Sequence, residues 1–144
     1  MTITTTISRG IRNNNPGNLR ATALIKWRGQ TGEDAEGFCI FDNPISGCRA
    51  MLLDLLNAQQ KDKLTTLEIL ISHYAPPDEN DTPAYIHEVS TVTLIKPTDV
   101  LVPKYDTIEI ARAMAIHELG STYFPYPWWN LASAQLASEG LWPK

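Results

Sequence analysis

The stretch Asp106-Thr-Ile-Glu-Ile-Ala-Arg-Ala-Met-Ala-Ile-His-Glu-Leu-Gly120 decides how this chain is read. At 100° per residue, Ile108, Ala111, Met114, Ala115 and Leu119 make one apolar arc of a helix, and Glu118 falls inside that arc. Gly120 has the place of a C′ glycine, which puts Glu118 in the last turn, beside the negative end of the helix dipole. Partial burial and the dipole both disfavour an ionised carboxylate, so the reading predicts a raised proton affinity and a general acid. The same segment also admits a terminal turn in which Glu118 leans into solvent, since an unpaired Glu is seldom buried.

Outward from this helix, the segments upstream are also mostly helical. Asn43-Pro44 fits an N-cap followed by proline at N1, and Ile45, Cys48, Leu52, Leu55 and Leu56 then recur at helical spacing. Thr65-Thr-Leu-Glu68 matches a capping box and leads into Leu67, Leu70, Ile71 and Tyr74. Ala75-Pro76-Pro77 ends that helix, because a residue before proline avoids the α region. Thr82-Pro83 opens another, with Tyr85, Ile86 and Val89 on one side. The β-branched stretch 91–102, broken by Pro97 and Pro103, predicts an extended connection, after which Asp106 starts the Glu118 helix. Tyr126-Pro127 starts a last helix whose inner face would hold Trp128, Leu131, Ala132, Gln135 and Leu136.

Toward the N-terminus the pattern changes. Residues 9–20 carry Asn13, Asn14, Asn15, Pro16, Gly17 and Asn18, types that suit a loop. Residues 28–37 form a second polar loop, and the short segments 23–27 and 38–41 predict strands of a small sheet. The expected fold class is α+β, mostly α, with a small N-terminal β-sheet. At 144 residues, 43% of them apolar, the chain is most simply one domain with a core of its own.

Composition narrows the function classes. A net charge of −4 supplies no basic stripe for phosphates, so a general nucleic-acid partner is not expected. No apolar run approaches ~20 residues, so stable membrane insertion is not expected either. The opening Met-Thr-Ile-Thr-Thr-Thr-Ile-Ser lacks the basic-then-apolar form of a signal peptide, so action outside the cytoplasm calls for separate delivery. Cys39 and Cys48 make no disulfide framework; they read as small buried hydrophobes that folding does not require. His117-Glu118 lacks the i+4 histidine of the zinc-protease helix, and neither a metal nor a cofactor is expected. Glu79, Asp81 and Asp42 are candidates for a second carboxylate; Asp81 can equally cap the helix at Thr82, and Asp42 can simply end its strand. Glu139 reads as exposed.

The asparagines offer paired donors and acceptors suited to hydroxyl and acetamido groups of a sugar. Trp27, Tyr74, Tyr85, Tyr123, Trp128 and Trp129 offer flat faces for sugar rings. Turn chemistry and core packing account for the same residues equally well.

The run Arg9-Gly-Ile-Arg-Asn-Asn-Asn-Pro-Gly-Asn-Leu-Arg20 resembles the opening signature of phage-borne proteins with a lysozyme-like domain. The similarity continues through Trp27-x-Gly29, Gly37-Phe-x-x-Phe41, Gly47-x-Arg-Ala50 and Ala75-Pro-Pro-x-Glu-Asn-Asp-Thr82 with Tyr85 and Val89. In the related glucosaminidase and lytic transglycosylase families, a helix ending in Glu-x-Gly precedes a comparable Asn-rich segment. Here the equivalent, Ile116-His-Glu118-Leu-Gly120, lies at the other end of the chain. The resemblance therefore implies a circularly permuted lysozyme-like fold, which nearby chain termini make physically reasonable. It implies a peptidoglycan glycosidase, a muramidase or lytic transglycosylase, with Glu118 as catalytic acid and Asn13, Asn14, Asn15, Asn18, Tyr74 and Tyr85 as substrate-binding residues. The expected partner is the peptidoglycan glycan strand, reached from the bacterial cytoplasm by phage particle, holin or secretion apparatus. The rival is a non-enzymatic virion or secretion-apparatus component that keeps the shape to bind glycan or a partner protein.

Overall fold

The computed structural model describes residues 7–144, so the opening segment read above for a leader lies, in residues 1–6, outside the described residues. The described elements are α1 (Arg9–Arg12), β1 (Gln30–Glu33), β2 (Cys39–Phe41), α2 (Pro44–Gln60), α3 (Leu67–Tyr74), α4 (Thr82–Thr93), α5 (Pro103–Leu119) and α6 (Tyr126–Ser138). β1 and β2 form a two-stranded antiparallel sheet with an irregularity between Gln30 and Gly32. The class is thus α+β, mostly α, with its small sheet near the N-terminus, as the sequence predicts.

The central element is α2, and its start is chemically specified. Asn43 Oδ1 accepts the Ser46 amide at 3.0 Å, and Pro44 occupies the first turn, where its missing N–H costs nothing. Its apolar side carries Cys48, Leu52, Leu55 and Leu56 into a core completed by Leu70 and Ile71 of α3, Val89 of α4, Ile110 and Met114 of α5, and Trp129 and Leu136 of α6. A second, smaller cluster of Cys39, Phe41 and Ala50 fastens the sheet to α2. Both cysteines are free and fully buried, and burial raises both thiols above their ordinary range.

The differences from the sequence reading have identifiable causes. The first strand is not 23–27, where Leu24 is 94% exposed, but β1, inside the stretch expected to be a loop. Its side chains are mostly exposed, so no apolar alternation marks it. What makes the hairpin is its turn: Asp34 Oδ1 accepts the amides of Glu36 and Phe38 at 2.9 and 3.0 Å, and Gly37 takes φ +88°. The N-cap of α3 is Thr66, one residue after the start of the predicted capping box. α4 continues through 91–93, where the hydroxyls of Thr91 and Thr93 find partners inside the helix in the carbonyls of His87 and Val89, at 2.8 and 2.7 Å. It closes on Leu94 with φ 62°. α5 begins at Pro103 rather than Asp106; the proline is an N-terminal starter there, and Asp106 Oδ2 accepts the Val102 amide at 2.7 Å. On α6 the buried face is Trp129, Ala132 and Leu136, while Leu131 and Gln135 are exposed and Trp128 is half-buried. Trp129 takes the core place because its indole N–H reaches the Phe124 carbonyl at 3.1 Å.

Candidate active site

The predicted acid stands at the end of α5, whose last turn closes on Gly120 with φ 66° and its amide bonded to the Ile116 carbonyl at 2.8 Å. Glu118 continues the line of the buried Ala111, Met114 and Ala115, yet it is exposed. The expected partial burial is therefore corrected: the last turn runs beyond the neighbours that cover the preceding ones.

What surrounds Glu118 comes from α4. Tyr85 is 2% exposed, and burial first, then the charge of the Glu118 carboxylate, drives its phenol above its ordinary range. The imidazole of His117 lies against the Tyr85 ring, 3.8 Å between centroids at 32°. His117 Nδ1 in turn meets the Glu88 carboxylate. Glu88 is exposed, yet paired across to α5.

The 13–18 loop adjoins the same helix end. A Cβ built on Gly10 would lie 2.6 Å from Leu119 Cδ2 and 2.9 Å from the Asn15 carbonyl oxygen, so α1 packs on the last turn of α5 and the loop folds back on α1. The loop's amides are turned largely into the protein. Asn13 Nδ2 donates to Asp34 Oδ2 at 2.9 Å, and Asn14 Nδ2 donates to the Phe41 carbonyl at 3.0 Å. Asn15, fully buried, donates to the carbonyls of Leu19 and Cys39 and accepts the Leu19 amide, each at 3.0 Å. Asn14 and Asn18 hold φ of 54° and 46°, which asparagine tolerates better than most residues. Asn18 Oδ1 is buried with no partner in the protein.

Tyr74, the remaining predicted contact residue, donates its hydroxyl to Asp54 Oδ2 at 2.6 Å. Asp54 was not singled out by the sequence reading. Burial raises its carboxyl above the ordinary value, against the opposing pull of the Tyr74 hydroxyl and His73. Its only signal was a charge set between Leu53 and Leu55 in an apolar run. A carboxyl raised by folding contributes stability that is fully present below the unfolded value of ~3.9 and is lost as pH climbs through the folded one. Asp54→Asn keeps an acceptor for Tyr74 and removes this loss. Its urea midpoint should therefore equal or exceed wild type at pH 7, with the margin shrinking as pH falls toward ~4 and gone below it; a variant clearly weaker at pH 7 would contradict the assignment.

Also unforeseen is the partner of Arg49. This guanidinium is 6% exposed and grips Glu139 through Nε and Nη2 at 3.1 and 2.6 Å, with Arg28 a further 3.0 Å from the same carboxylate. The bond ties the residue just beyond α6 to α2, and the guanidinium beside Glu139 holds its carboxyl below the usual range. Of the candidate second carboxylates, Asp81 caps α4 by accepting the Ala84 amide at 3.2 Å, Asp42 accepts from Asn43 at 2.9 Å, and Glu79 is exposed. A cavity of about 300 Å³ runs along β1, lined by Lys26, Gln30 and Glu33 among others, and by none of the residues around Glu118. None of the described helices is long and apolar enough to cross a membrane.

No known family model matches the chain. It is 33% identical over 122 residues to Protein P5 of Pseudoalteromonas phage PM2, a match covering 83% of this chain and 76% of that protein.

Proposed function

The chain belongs to the family of Protein P5 of Pseudoalteromonas phage PM2, and we propose for it a use that suits a phage: cleavage of peptidoglycan glycan strands, with Glu118 as general acid. The observation that carries the proposal is one helix end. Glu118 is open to solvent, on the last turn of α5, and its neighbour Leu119 packs against α1, which leads into the Asn-rich loop. A carboxyl that must deliver a proton to a glycosidic oxygen has to be reachable and fixed in direction. Exposure supplies the first, and the well-closed last turn of α5, ending on Gly120, fixes the backbone from which the side chain projects. The adjacency of Gly10 to Leu119 supports a circularly permuted lysozyme-like arrangement, because it joins the acid-bearing helix to the Asn-rich loop although they stand at opposite ends of the chain.

In this mechanism Glu118 protonates the leaving oxygen as the bond from N-acetylmuramic acid breaks. Hydrolysis then needs a second carboxylate to activate water or form a glycosyl intermediate. Glu88, paired to the residue before Glu118, is engaged by His117. A lytic transglycosylase needs no such group, since the sugar's own 6-hydroxyl attacks, and that course or a substrate-assisted one fits these residues better.

The test is digestion of purified peptidoglycan followed by mass spectrometry. Anhydro-sugars indicate transglycosylation and new reducing ends indicate hydrolysis. Neither product would favour a non-enzymatic virion or secretion component that binds glycan or protein. One observation speaks for that second reading: Asn13, Asn14 and Asn15 already direct their amides to Asp34, Phe41, Leu19 and Cys39 rather than outward.

A further inference from the structure

Three segments meet around one half-buried carboxylate on α2. Gly47, Met51 and Asp54 stand four and then three positions apart, so they share one side of that helix. The 13–18 loop covers the first two: a Cβ added to Gly47 would lie 1.7 Å from the Asn14 carbonyl oxygen, and one added to Gly17 would lie 3.0 Å from Met51 Cγ. Asp54 comes next along that side. From the other direction the end of α3 reaches it, where the Tyr74 hydroxyl donates to Asp54 Oδ2 at 2.6 Å. The loop after Tyr74 closes on itself, Asn80 Nδ2 donating to the Pro76 carbonyl at 3.2 Å and the Thr82 hydroxyl to the Ala75 carbonyl, which seats Tyr74 firmly.

The second oxygen of Asp54, Oδ1, receives no hydrogen bond and pairs with no Lys, Arg or His among the described residues. Unlike Asn18 Oδ1 it is not sealed inside the protein, so it opens to solvent. Folding does not need a charge at this place. Burial raises the carboxyl, so its ionised form costs stability, and an amide would accept from Tyr74 as well. Carboxyls perturbed in this way concentrate at functional sites.

We infer that Asp54 is a glycan-binding residue: Tyr74 fixes the carboxylate, and the oxygen it leaves free accepts a hydrogen bond from a hydroxyl or acetamido N–H of the strand. This rests on the reading of the chain as a peptidoglycan-cleaving protein. It moves the polar contact expected of Tyr74 to its partner, because the Tyr74 hydroxyl is already engaged; Tyr85, 2% exposed, offers no face to a sugar. An ionised acceptor held in one direction binds neutral donors more tightly than an uncharged one does. The half-buried Tyr74 ring beside it supplies the apolar surface that accompanies such polar groups in ligand sites.

Binding is measured by calorimetry on Glu118→Gln protein, which leaves the strand intact, with solubilised glycan strands stripped of their peptides. Adding Asp54→Asn should raise Kd about ten- to hundredfold, the range for a hydrogen bond to a charged group, while the thermal midpoint stays level or rises. Tyr74→Phe, which lets the carboxylate turn, should raise Kd by less. A measurement with no substitution at Asp54 stands beside these: its γ-carbon NMR signal should move as strands are titrated in. If strands bind and Asp54→Asn leaves Kd unchanged, or the signal stays still, the carboxylate serves only Tyr74; the inference fails and the reading stands. Strands that bind only while carrying their peptides would place the donor outside the sugar and overturn it as well. If no strands bind and the wild-type protein releases no glycan products, the reading itself fails and the inference falls with it.

Discussion

Glu118→Gln should fold as wild type and cleave peptidoglycan about 10²–10⁴-fold more slowly, the range that general acid catalysis supplies. Glutamine keeps the shape of the side chain and its hydrogen-bonding capacity, but it has no acidic proton to deliver. Because Glu118 is exposed, its replacement should change stability by no more than ~0.5 kcal/mol, which separates lost chemistry from lost folding. The measurement is the rate of product release from purified peptidoglycan beside a thermal melt of each protein. The alternative makes an opposite demand. If Glu118 is only a surface residue at a well-capped helix end, the substitution is silent in both measurements. Cleavage at the wild-type rate would remove the glycosidase reading and leave the non-enzymatic one.

How much of this was legible in the sequence depends on what each residue type reports. Helix ends were legible where a side chain does a local job: Asn43 with Pro44, Asp81 before Pro83, and Gly120 all sit where their chemistry puts them. The turn of the hairpin was as strongly specified, by Asp34 and Gly37, but β1 buries so little that nothing announced a strand. Prolines misled at Pro103, because the residue that breaks a helix also starts one. For the site, periodicity gave the correct line of α5 but not its length of cover. A helical wheel has no axis along the helix, so it cannot show that the neighbours stop before Glu118. Contacts between distant segments were illegible for the same reason. Glu88 with His117, Tyr74 with Asp54 and Arg49 with Glu139 each join segments whose separate patterns say nothing of the other.

Gly47→Ala should destabilise the protein by about 2–3 kcal/mol, although helix propensity alone argues the reverse. Within a helix, alanine is favoured over glycine by roughly 0.5–1 kcal/mol. Against this, a Cβ on Gly47 would lie 1.7 Å from the Asn14 carbonyl oxygen, 2.9 Å from its carbon and 3.0 Å from Pro16 Cδ. The obstacle is backbone, which cannot swing aside as a side-chain tip does, so the 13–18 loop must lift from α2. Overpacking of this kind typically costs ~1–3 kcal/mol, more where the backbone cannot yield, and it outweighs the propensity gain. Gly32→Ala is the matched control: no atom lies within 4 Å of its added carbon, and its urea midpoint should stay near wild type. A Gly47→Ala variant as stable as wild type would mean the loop does not sit where it is described. The expected damage also reaches the proposed site. Lifting the loop strains the Asn14 bond to Phe41 and the seat of Gly10 on Leu119, one residue from the acid, so folded Gly47→Ala protein should also cleave more slowly. Glycine at this position thus serves the proposed chemistry indirectly, by letting the loop that adjoins the acid lie close on the helix that carries the core.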